Sequence, residues 1–581
     1  MRHSAPFLGK KKVVALLMVA IKRWSWWPLD NAECLGTAFL TLIFSCAVLS
    51  DRPTLLLMRI CLLPAAACAS AAVSLGANPF ASGDWYVNPA YQSELDTSIA
   101  TAAGAVKATL QSMREVPSAY WLDVKAKITG NGTHSMAGIL ADAASRPTPP
   151  LVTFIVYDLP NRDCRAKASN GEICCNPKPD GTCDYDAGGD CAAGLKEYET
   201  EYIDPLVAVL KTWDAKVPIA LIIEPDSLPN LATNLADPHC GNTATQASYK
   251  QGIPYAVNAI AAATTNTVMY LDAAHGGWLG WEDNLEAFVA LFKDLNIAPH
   301  LRGFSTNVAN YQPVGTMCPG FGVFDPTNNN ATAMLTWREH LAARNDYCLN
   351  GGHQGDACCA DPCKLEGQYN PGNNEMNFVG ALSAAMRDGV PGFAPQFVID
   401  TGRNGVATER GDCANWCNPR GAGIGRVPTL QTGAPLVDAF FWLKTPGESD
   451  GCTQVLPDGS ACPRYDSFCG STDSVGSAAG EPRCPQAGAW FDYYVKMLAA
   501  NANMGPVPVP TPASPTPPPT PPPSTPTPPP STPTPPPSTP TPAPPPSGCP
   551  GGSLAACMDL CPSDPPAAYQ ACVESCVKRC T

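Results

Sequence analysis

The sequence predicts an α/β fold, a distorted and incomplete parallel (β/α) barrel of about seven strands, within residues 78–503. Three observations support this prediction. Seven short apolar runs recur in this region, helical or loop stretches separate them, and almost every run is followed directly by a polar residue. Polar residues at the carboxyl ends of parallel strands are typical of barrel enzymes, which build their active sites there.

The individual elements follow from local patterns. An alanine-rich segment with few helix breakers, 94–115, predicts a first long helix. The predicted strands are the apolar runs at 119–122, 152–156, 219–223, 267–271, 301–305, 396–399 and 437–443. The polar residues at their ends are Asp123, Asp158, Glu224, Asp272, Asn307, Asp400 and Lys444. A doubly wound open sheet has the same alternation, and the position of these polar groups is the reason to favour the barrel.

Composition limits the class of protein. The 581-residue chain carries a formal net charge of −14, which argues against nucleic-acid binding because phosphate contacts need clustered Lys and Arg. Of the 27 cysteines, 17 lie between Cys164 and Cys484 and six follow residue 548. This density predicts disulfides formed in an oxidising compartment. Glycosylation acceptor patterns at Asn131 and Asn330 agree, although such patterns also arise by chance.

The N-terminal region, 1–71, contains three apolar stretches. We expect residues 58–71 to be a secretory signal, because a short basic start precedes an apolar run that ends in small residues. Residues 1–57 are then an extension of the gene model. The alternative is a type II membrane anchor at 35–49, which at about 15 residues is short for a bilayer span. We therefore expect an extracellular or cell-wall protein without stable membrane association.

Two further parts follow the predicted barrel. Residues 504–547 repeat Pro, Ser and Thr, which predicts an extended polyproline II linker without a core. Residues 548–581 contain six cysteines, several of them four apart and thus on one helix face. We expect a small module of two disulfide-stapled helices, with the pairing left open. Zinc binding is disfavoured because this segment has no His.

Two acidic segments, 157–164 and 223–228, directly follow predicted strands. Carboxylates on separate strand ends can face each other across a cleft, as acid-catalysed bond hydrolysis requires. Asp226 is the candidate acid, because apolar surroundings and a neighbouring Asp163 both raise the pKa of a carboxyl group. The structural alternatives are that Glu224 and Asp226 cap the following helix and that Asp163 forms an ion pair with Arg162.

Aromatic residues near the predicted strand ends favour a carbohydrate substrate, since sugars stack their apolar faces on such rings. These residues are Trp121, Tyr157, Trp278, Trp281 and Trp416. A single aromatic residue is usually part of the core, but four tryptophans in strand-end loops are harder to assign to packing. His275 is a candidate hydrogen-bond donor to a hydroxyl, although a lone His is more often structural. The seven His show no spacing typical of metal ligands, and nothing predicts a cofactor.

Several longer motifs occur in order: Tyr-Asp-Leu-Pro-x-Arg-Asp-Cys, Ile-Glu-Pro-Asp-Ser-Leu, Tyr-Leu-Asp-Ala-x-His-x-Gly-Trp-Leu-Gly-Trp, Thr-Asn-Val-Ala-Asn-Tyr and Gln-Ala-Gly-Ala-Trp-Phe. Together they resemble glycoside hydrolase family 6, the inverting cellulases, over residues 78–503. The resemblance implies a distorted, incomplete α/β barrel that hydrolyses β-1,4-glucan with inversion.

The resemblance also implies roles for individual residues. Asp226 falls on the general acid, Asp163 on the carboxylate that tunes this acid and is linked to the water, and Asp450 on the proposed base. Tyr157 and Ser169 fall on ring-distorting and water-holding positions. Sugar-contacting positions match Trp121, Asp123, His275, Trp278, Asn310, Trp416, Lys444 and Glu448, with Trp281 as a further aromatic platform. The family's disulfides map to Cys164–Cys240 and Cys417–Cys469.

Three cysteine-rich stretches depart from the family pattern. They lie at 172–191 in the loop after Asp163, at 348–363, and in the loop after Asp450. In family terms, the two active-site loops close a tunnel in enzymes that act at chain ends and are shorter in endo-acting enzymes. Long loops stiffened by disulfides therefore predict a tunnel and cellobiohydrolase action.

The main prediction is a secreted, monomeric enzyme whose partner is cellulose or another β-1,4-glucan. An endo-β-1,4-glucanase of the same family is the first alternative. A non-catalytic, Pro-rich cell-wall glycoprotein that binds glucan is the second, and the joint presence of Asp163, Asp226 and Asp450 argues against it. Position after a linker suggests carbohydrate binding by the C-terminal module, which has only Tyr569 as an aromatic residue; a stability or assembly tag is the alternative.

Overall fold

Seven parallel strands form the central sheet of the computed structural model, which describes residues 77–179, 182–319, 337–406 and 413–505. The strands are β1 (Tyr120–Leu122), β2 (Val152–Val156), β3 (Ile219–Ile223), β4 (Thr267–Asp272), β5 (Gly303–Thr306), β6 (Gln396–Asp400) and β7 (Val437–Phe441). Their spatial order follows the chain order, and every neighbouring pair is parallel. This order confirms the predicted barrel and excludes the doubly wound sheet, in which strand order reverses at a switch point.

Three predicted parts lie outside the described residues: the N-terminal region 1–71, the linker beyond residue 505 and the module at 548–581. Their boundaries therefore stay predictions. Among the helices that the structure describes, none combines the length and the apolar character that crossing a bilayer requires.

The barrel is incomplete, because the described strands β1 and β7 form the two edges of the sheet. Hydrogen bonds rather than strand pairing connect these edges. The backbone N–H of Ala119 donates to the carbonyl of Trp442 at 2.9 Å, and the indole of Trp121 donates to the carbonyl of Leu443 at 2.9 Å. The edges are thus held together at the end of the barrel where the strand-end loops begin.

Helices surround the sheet. They are α1 (Pro89–Thr101), α2 (Gly104–Met113), α3 (Met136–Ser145), α4 (Ala192–Glu197), α5 (Asp204–Trp213), α6 (Ser227–Thr233), α7 (Pro238–Gly241), α8 (Thr243–Ala263), α9 (Gly276–Leu279), α10 (Glu282–Leu295), α11 (Trp337–Leu349), α12 (Glu375–Gly389) and α13 (Asp492–Ala500). A π-helical turn (Tyr198–Ile203) joins α4 to α5. Short 3₁₀ turns include Pro79–Ser82, Lys125–Lys127, Lys167–Ser169, Ala298–His300, Ala357–Cys359, Glu366–Gln368 and Ser467–Gly470.

The prediction of one long first helix at 94–115 was wrong. The segment contains two helices, α1 and α2, separated at Ala102 and Ala103. Ala102 is extended, with φ −86° and ψ 158°, and Gly104 has φ +57°, which glycine adopts without steric penalty. The chain turns here, so that α2 packs back against α1 and against α13.

Both faces of the sheet are apolar. Along β2, Phe154 and Val156 belong to the large cluster between sheet and helices, whereas Ile155 packs inside the barrel with Ile222 of β3. Successive side chains of a strand point to opposite faces, so covering both faces requires continuous apolar runs. This is the reason that the strands were recognisable in the sequence.

A buried ion pair links three strands of the barrel. Arg302, directly before β5, donates through Nε and Nη2 to the carboxylate of Asp438 in β7, at 2.5 and 2.7 Å. The hydroxyl of Tyr270 in β4 donates to the same carboxylate at 2.7 Å. Paired, hydrogen-bonded charges of this kind are tolerated in an interior that would reject either charge alone.

Candidate active site

A cavity of about 810 Å³ lies at the carboxyl ends of the strands. Every residue that the sequence marked as catalytic or sugar-contacting lines it: Trp121, Asp123, Tyr157, Asp163, Ser169, Asp226, His275, Trp278, Trp281, Asn310, Trp416, Lys444, Glu448 and Asp450. Parallel strands present their carboxyl ends at one edge, so residues far apart in sequence meet there.

The two acidic segments leave the strands through unusual backbone conformations. Asp163 and Asp226 have positive φ angles of 52° and 60°, and Glu224 has φ 45°. Such conformations are strained for residues other than glycine and occur often at functional sites. Glu224 itself joins the two segments, because its carboxylate accepts the backbone N–H groups of Asp158 and Leu159, each at 3.3 Å.

Asp226 is positioned to be protonated. It is half-buried, and burial raises its pKa well above the ordinary range, with further increases from the charges of Asp163 and Asp272. Asp226 stands at the N-cap position of α6, but its side chain makes no capping hydrogen bond. The interpretation of Asp226 as a helix cap was therefore wrong, since its carboxyl group faces the cavity.

Asp163 is the second carboxyl group of this site and is 5% exposed. Burial raises its pKa to about 7, although the hydroxyl of Tyr157 donates to it at 3.1 Å and favours the ionised form. The amide of Asn230 in α6 contacts both acids, donating to the carboxylate of Asp163 at 3.4 Å and to the backbone carbonyl of Asp226 at 2.6 Å. The sequence analysis missed Asn230. Its position one helical turn after Asp226 is the pattern that could have identified it.

Arg162 does not serve as the ion-pair partner of Asp163. Its guanidinium contacts the carboxylate of Asp158 at 3.3 Å and lies 4.2 Å from the ring centroid of Tyr157. It also donates to the backbone carbonyl of Ser169 at 2.9 Å. Arg162 therefore positions the loop after β2, and the predicted alternative of a plain ion pair with Asp163 was wrong.

Asp272, at the end of β4, is a second residue whose role in the site the sequence did not single out. Its carboxylate accepts the backbone N–H of Asp226 at 3.3 Å and that of Ala274 at 3.0 Å. Burial raises its pKa to about 7. The charge of Asp272 contributes to the raised pKa of Asp226. Asp272 therefore both holds the backbone of Asp226 and favours the protonated form of its carboxyl group. The only sequence signal for Asp272 was that it is one of the polar residues at the ends of the predicted strands.

Asp450 is buried and fully engaged by donors. Its carboxylate pairs with Arg403 at 2.6 Å and accepts the hydroxyl of Tyr311 at 2.5 Å. The backbone N–H of Asn418 donates to it at 2.9 Å. A guanidinium and two further donors therefore occupy the oxygens of this carboxylate and fix its orientation.

One end of the cavity carries paired charges around an indole. Lys444 forms an ion pair with Glu448, and its ammonium group lies 5.0 Å from the ring centroid of Trp121. Asp123 pairs with Lys127 at 2.5 Å. Charged pairs flanking an aromatic face offer hydrogen bonds to the hydroxyls of a sugar whose apolar face meets the ring.

Two of the other tryptophans are fixed by hydrogen bonds from their indole N–H groups, which leaves their ring faces for contacts. Trp278 donates to the hydroxyl of Thr233 at 2.8 Å, and Trp281 donates to the backbone carbonyl of Gln368 at 3.2 Å. Trp416 packs against Phe468, with ring centroids 5.7 Å apart. His275, directly before α9, lies with its ring centroid 6.1 Å from that of Trp278.

Two long loops meet above the cavity, one following β2 and one following β7. The backbone N–H of Lys167 in the first donates to the carboxylate of Asp466 in the second at 2.8 Å. Arg464 of the second loop donates to the carbonyl of Asn170 in the first at 2.9 Å. We call these paired loops the roof. The cavity is therefore enclosed at this point.

Disulfides stiffen these loops and the neighbouring insertion. The described residues form the pairs Cys164–Cys240, Cys174–Cys183, Cys175–Cys191, Cys318–Cys358, Cys348–Cys359, Cys363–Cys413, Cys417–Cys469 and Cys452–Cys462. The first and seventh are the pairs that the family resemblance implied. Cys484 is buried and lies outside these pairs.

The chain resembles known proteins both in sequence and in structure. The family model described as Glycosyl hydrolases family 6 matches residues 80–344 and 356–502. A probable 1,4-beta-D-glucan cellobiohydrolase C from Aspergillus terreus is 36% identical over 433 residues, which are 73% of this chain and 76% of that protein. Exoglucanase 3 from Agaricus bisporus is 34% identical over 431 residues, 73% of this chain and 79% of that protein.

Solved structures agree with these relatives. The catalytic core domain of the cellobiohydrolase Cel6A from Chaetomium thermophilum superimposes with a TM-score of 0.56 at 31% identity, covering 74% of this chain and 99% of that chain. The matched residues include the barrel, both acidic segments and the loops that form the roof. The chain therefore belongs to glycosyl hydrolase family 6.

Proposed function

We propose that this protein is a cellulase that hydrolyses β-1,4-glucosidic bonds with inversion, releasing short products from chain ends as a cellobiohydrolase does. The single observation that carries the proposal is the pair Asp226 and Asp163, placed in one cavity that four tryptophans line. The names of the relatives, a cellobiohydrolase and an exoglucanase, support the same substrate class.

Asp226 is the general acid of the proposed reaction. A raised pKa keeps its carboxyl group protonated, and this proton passes to the glycosidic oxygen as the bond from that oxygen to the anomeric carbon breaks. Asp272 and Asn230 hold the backbone of Asp226, so the acid keeps its direction while the sugar moves.

Water attacks the anomeric carbon from the opposite face of the sugar, which produces inversion. We assign the uptake of the water proton to Asp163, whose pKa of about 7 suits a group that gains and releases protons near neutral pH. Tyr157 donates to Asp163 and stands beside Trp121, so it can crowd the sugar ring toward a distorted shape. Asp450 is less suited to this role because Arg403 and Tyr311 hold its carboxylate.

The roof supports action at chain ends. A groove enclosed by contacts such as Lys167 to Asp466 admits a glucan chain through its openings and hinders binding in the middle of a long polymer. Eight disulfides among the described residues support synthesis for an oxidising, extracellular location. N-terminal sequencing of the protein recovered from culture medium tests both the export and the predicted signal at 58–71.

Replacement of the acid tests the proposed chemistry. Asp226→Asn keeps the shape of the side chain but cannot supply the proton, so we expect hydrolysis of cellotetraose to fall by about 10²- to 10⁴-fold. Binding of cellotetraose, measured by calorimetry, should persist. Asp283→Asn, an exposed carboxylate in α10, is the matched control and should keep full activity.

The products decide between the alternatives. Proton magnetic resonance of the first products should show the α anomer, because inversion converts the β linkage. Unchanged turnover of Asp226→Asn would reject the assigned acid, and wild-type protein that binds glucan without cleaving it would favour the non-catalytic glycoprotein. A rapid loss of carboxymethyl cellulose viscosity with little soluble cellobiose would favour an endoglucanase.

A further inference from the structure

One wall of the cavity is formed by a segment that joins two of the tryptophan-bearing loops. This segment, 362–374, lies between α11 and α12, next to the extra cysteine cluster noted in the sequence. The disulfide Cys363–Cys413 ties it to the loop after β6 that carries Trp416. On its other side, the amide of Asn370 donates to the carbonyl of Gly276, the first residue of α9 in the connection after β4, at 2.9 Å.

The inner side of the 362–374 segment takes part in the site. Cys363, Lys364, Leu365 and Gln368 line the cavity together with Trp281. The indole of Trp281 donates to the backbone carbonyl of Gln368 at 3.2 Å, so this tryptophan is directly attached to the segment.

Tyr369, the residue after Gln368, is an unusual feature of this wall. It is 76% exposed, the largest value among the exposed large hydrophobic side chains of the described residues. Its backbone adopts the left-handed conformation, with φ 60°, which is unfavourable for a bulky residue. This backbone strain is unfavourable in the free protein, and strained residues of this kind cluster at active sites and ligand-binding sites.

The surroundings hold Tyr369 in place. Its backbone N–H donates to the carbonyl of Glu366 at 2.9 Å, and its two neighbours are both attached to the loop after β4, Gln368 by Trp281 and Asn370 by Gly276. The backbone of Tyr369 is therefore fixed directly after Gln368, which lines the cavity and accepts the indole N–H of Trp281, while the exposed Tyr369 side chain lies outside the cavity lining. An aromatic side chain with two rotatable bonds loses little conformational entropy when a ligand stacks on it.

We propose that Tyr369 is a further glucan-binding platform, on which a β-1,4-glucan chain that extends past Trp281 stacks a glucosyl unit. The proposal rests on the proposed function for the nature of the ligand. The occupant is an extended chain, because the segment that carries Tyr369 continues the wall of the tryptophan-lined cavity through Gln368.

The test compares long and short ligands in the full-length protein. In an Asp226→Asn background, we expect Tyr369→Ala to raise the Kd of cellohexaose by a factor about five-fold larger than the factor for cellotetraose. The shorter chain is less able to reach Tyr369. In the otherwise wild-type enzyme, the ratio of kcat/KM on amorphous cellulose to kcat/KM on cellotetraose should fall by about the same factor. Tyr369→Phe should keep both ratios, since it keeps the ring.

Tyr493→Ala is the matched control, a tyrosine of α13 that is 41% exposed and, unlike Tyr369, has no immediate sequence neighbour that lines the cavity. Equal losses on both ligands, or ratios that change by less than about 1.5-fold, would overturn the proposal. If the wild-type protein showed no hydrolytic activity, the proposed function would be contradicted. The comparison of ligand binding would still test whether Tyr369 contacts the glucan.

Discussion

At the scale of single residues, burial raises the pKa of several carboxyl groups at the strand ends. The values are about 7 for Asp163, Glu224 and Asp272, and the pKa of Asp226 lies well above its ordinary range. Like charges that share a buried site cannot all ionise, so the site retains protons at neutral pH. This retention is what an acid-catalysed hydrolysis needs from a side chain whose pKa is otherwise near 4.

Glu94 in α1 provides a residue-scale prediction about stability. Burial, and then the charge of Glu448, raises its pKa from 4.5 to about 8, while Lys127 and Lys444 act in the opposite direction. Because the folded-state pKa is raised, the stability that protonated Glu94 contributes is full below pH 4.5 and is lost as the pH rises toward 8. We expect Glu94→Gln to raise the melting temperature at pH 9 by about 2 °C relative to the wild type.

Melting curves at pH 4 and pH 9 check this prediction. At the lower pH both side chains are neutral, so the variant and the wild type should melt together. Glu115→Gln replaces an exposed carboxylate and serves as the control. A gain for Glu94→Gln that is equal at both pH values would contradict the proposed ionisation.

At the scale of secondary structure, the π-helical turn Tyr198–Ile203 holds strand ends together. The hydroxyl of Tyr202 donates to the carbonyl of Leu122 at the end of β1 and accepts the backbone N–H of Tyr157 after β2, the latter at 3.0 Å. The hydroxyl of Tyr198 donates to Glu224 after β3 at 2.7 Å. Tyr198 and Tyr202 are four residues apart and therefore lie on one face of this turn, from which their hydroxyls fix the loops that carry Asp163 and Asp226.

The ion pair between Arg302 and Asp438 gives a prediction for the strands of the barrel. Asp438→Ala leaves a buried guanidinium without its carboxylate, so we expect the free energy of unfolding to fall by about 3–5 kcal/mol. Guanidinium chloride unfolding with the disulfides intact measures this change.

The matched variant removes both charges. Arg302→Met combined with Asp438→Leu leaves no isolated charge, so it should lose less stability than Asp438→Ala alone. If the double variant were destabilised more than Asp438→Ala, the attraction between Arg302 and Asp438 would itself stabilise the fold. The effect of Asp438→Ala would then not be explained by an unpaired buried charge alone.

At the scale of the whole molecule, the roof determines how a polymer enters the cavity. Arg464→Ala removes the hydrogen bond to Asn170 and loosens the contact between the two loops. We expect the ratio of soluble to insoluble reducing sugar from amorphous cellulose to fall by about two-fold, because an opened roof permits attack within chains.

Arg483→Ala is the control for this prediction, because Arg483 is an exposed arginine in the same loop. The kcat on cellotetraose separates effects on the roof from effects on the chemistry. A lower kcat with an unchanged product ratio would contradict the proposed role of Arg464 in enclosing the cavity.

The strands were predictable because β2 and β3 are apolar on both faces and end at polar residues. The break between α1 and α2 was not, since Ala102 and Ala103 carry no helix-breaking signal and only Gly104 marks the turn. The site residues were recognisable from strand-end positions and family motifs. Asn230 and the partners of Asp450 were missed, because their roles depend on side chains that meet across the barrel.

The sequence by itself determined the apolar runs, their polar ends and the motifs that identify the family, since each depends on neighbours along the chain. Only the tertiary structure decided which protons the buried carboxyl groups hold, which loops meet above the cavity, and where Tyr369 stands beside Trp281. These features depend on distances between segments separated by up to about 300 residues, as for Lys167 and Asp466. Burial and electrostatic coupling act through space, so no local pattern contains them.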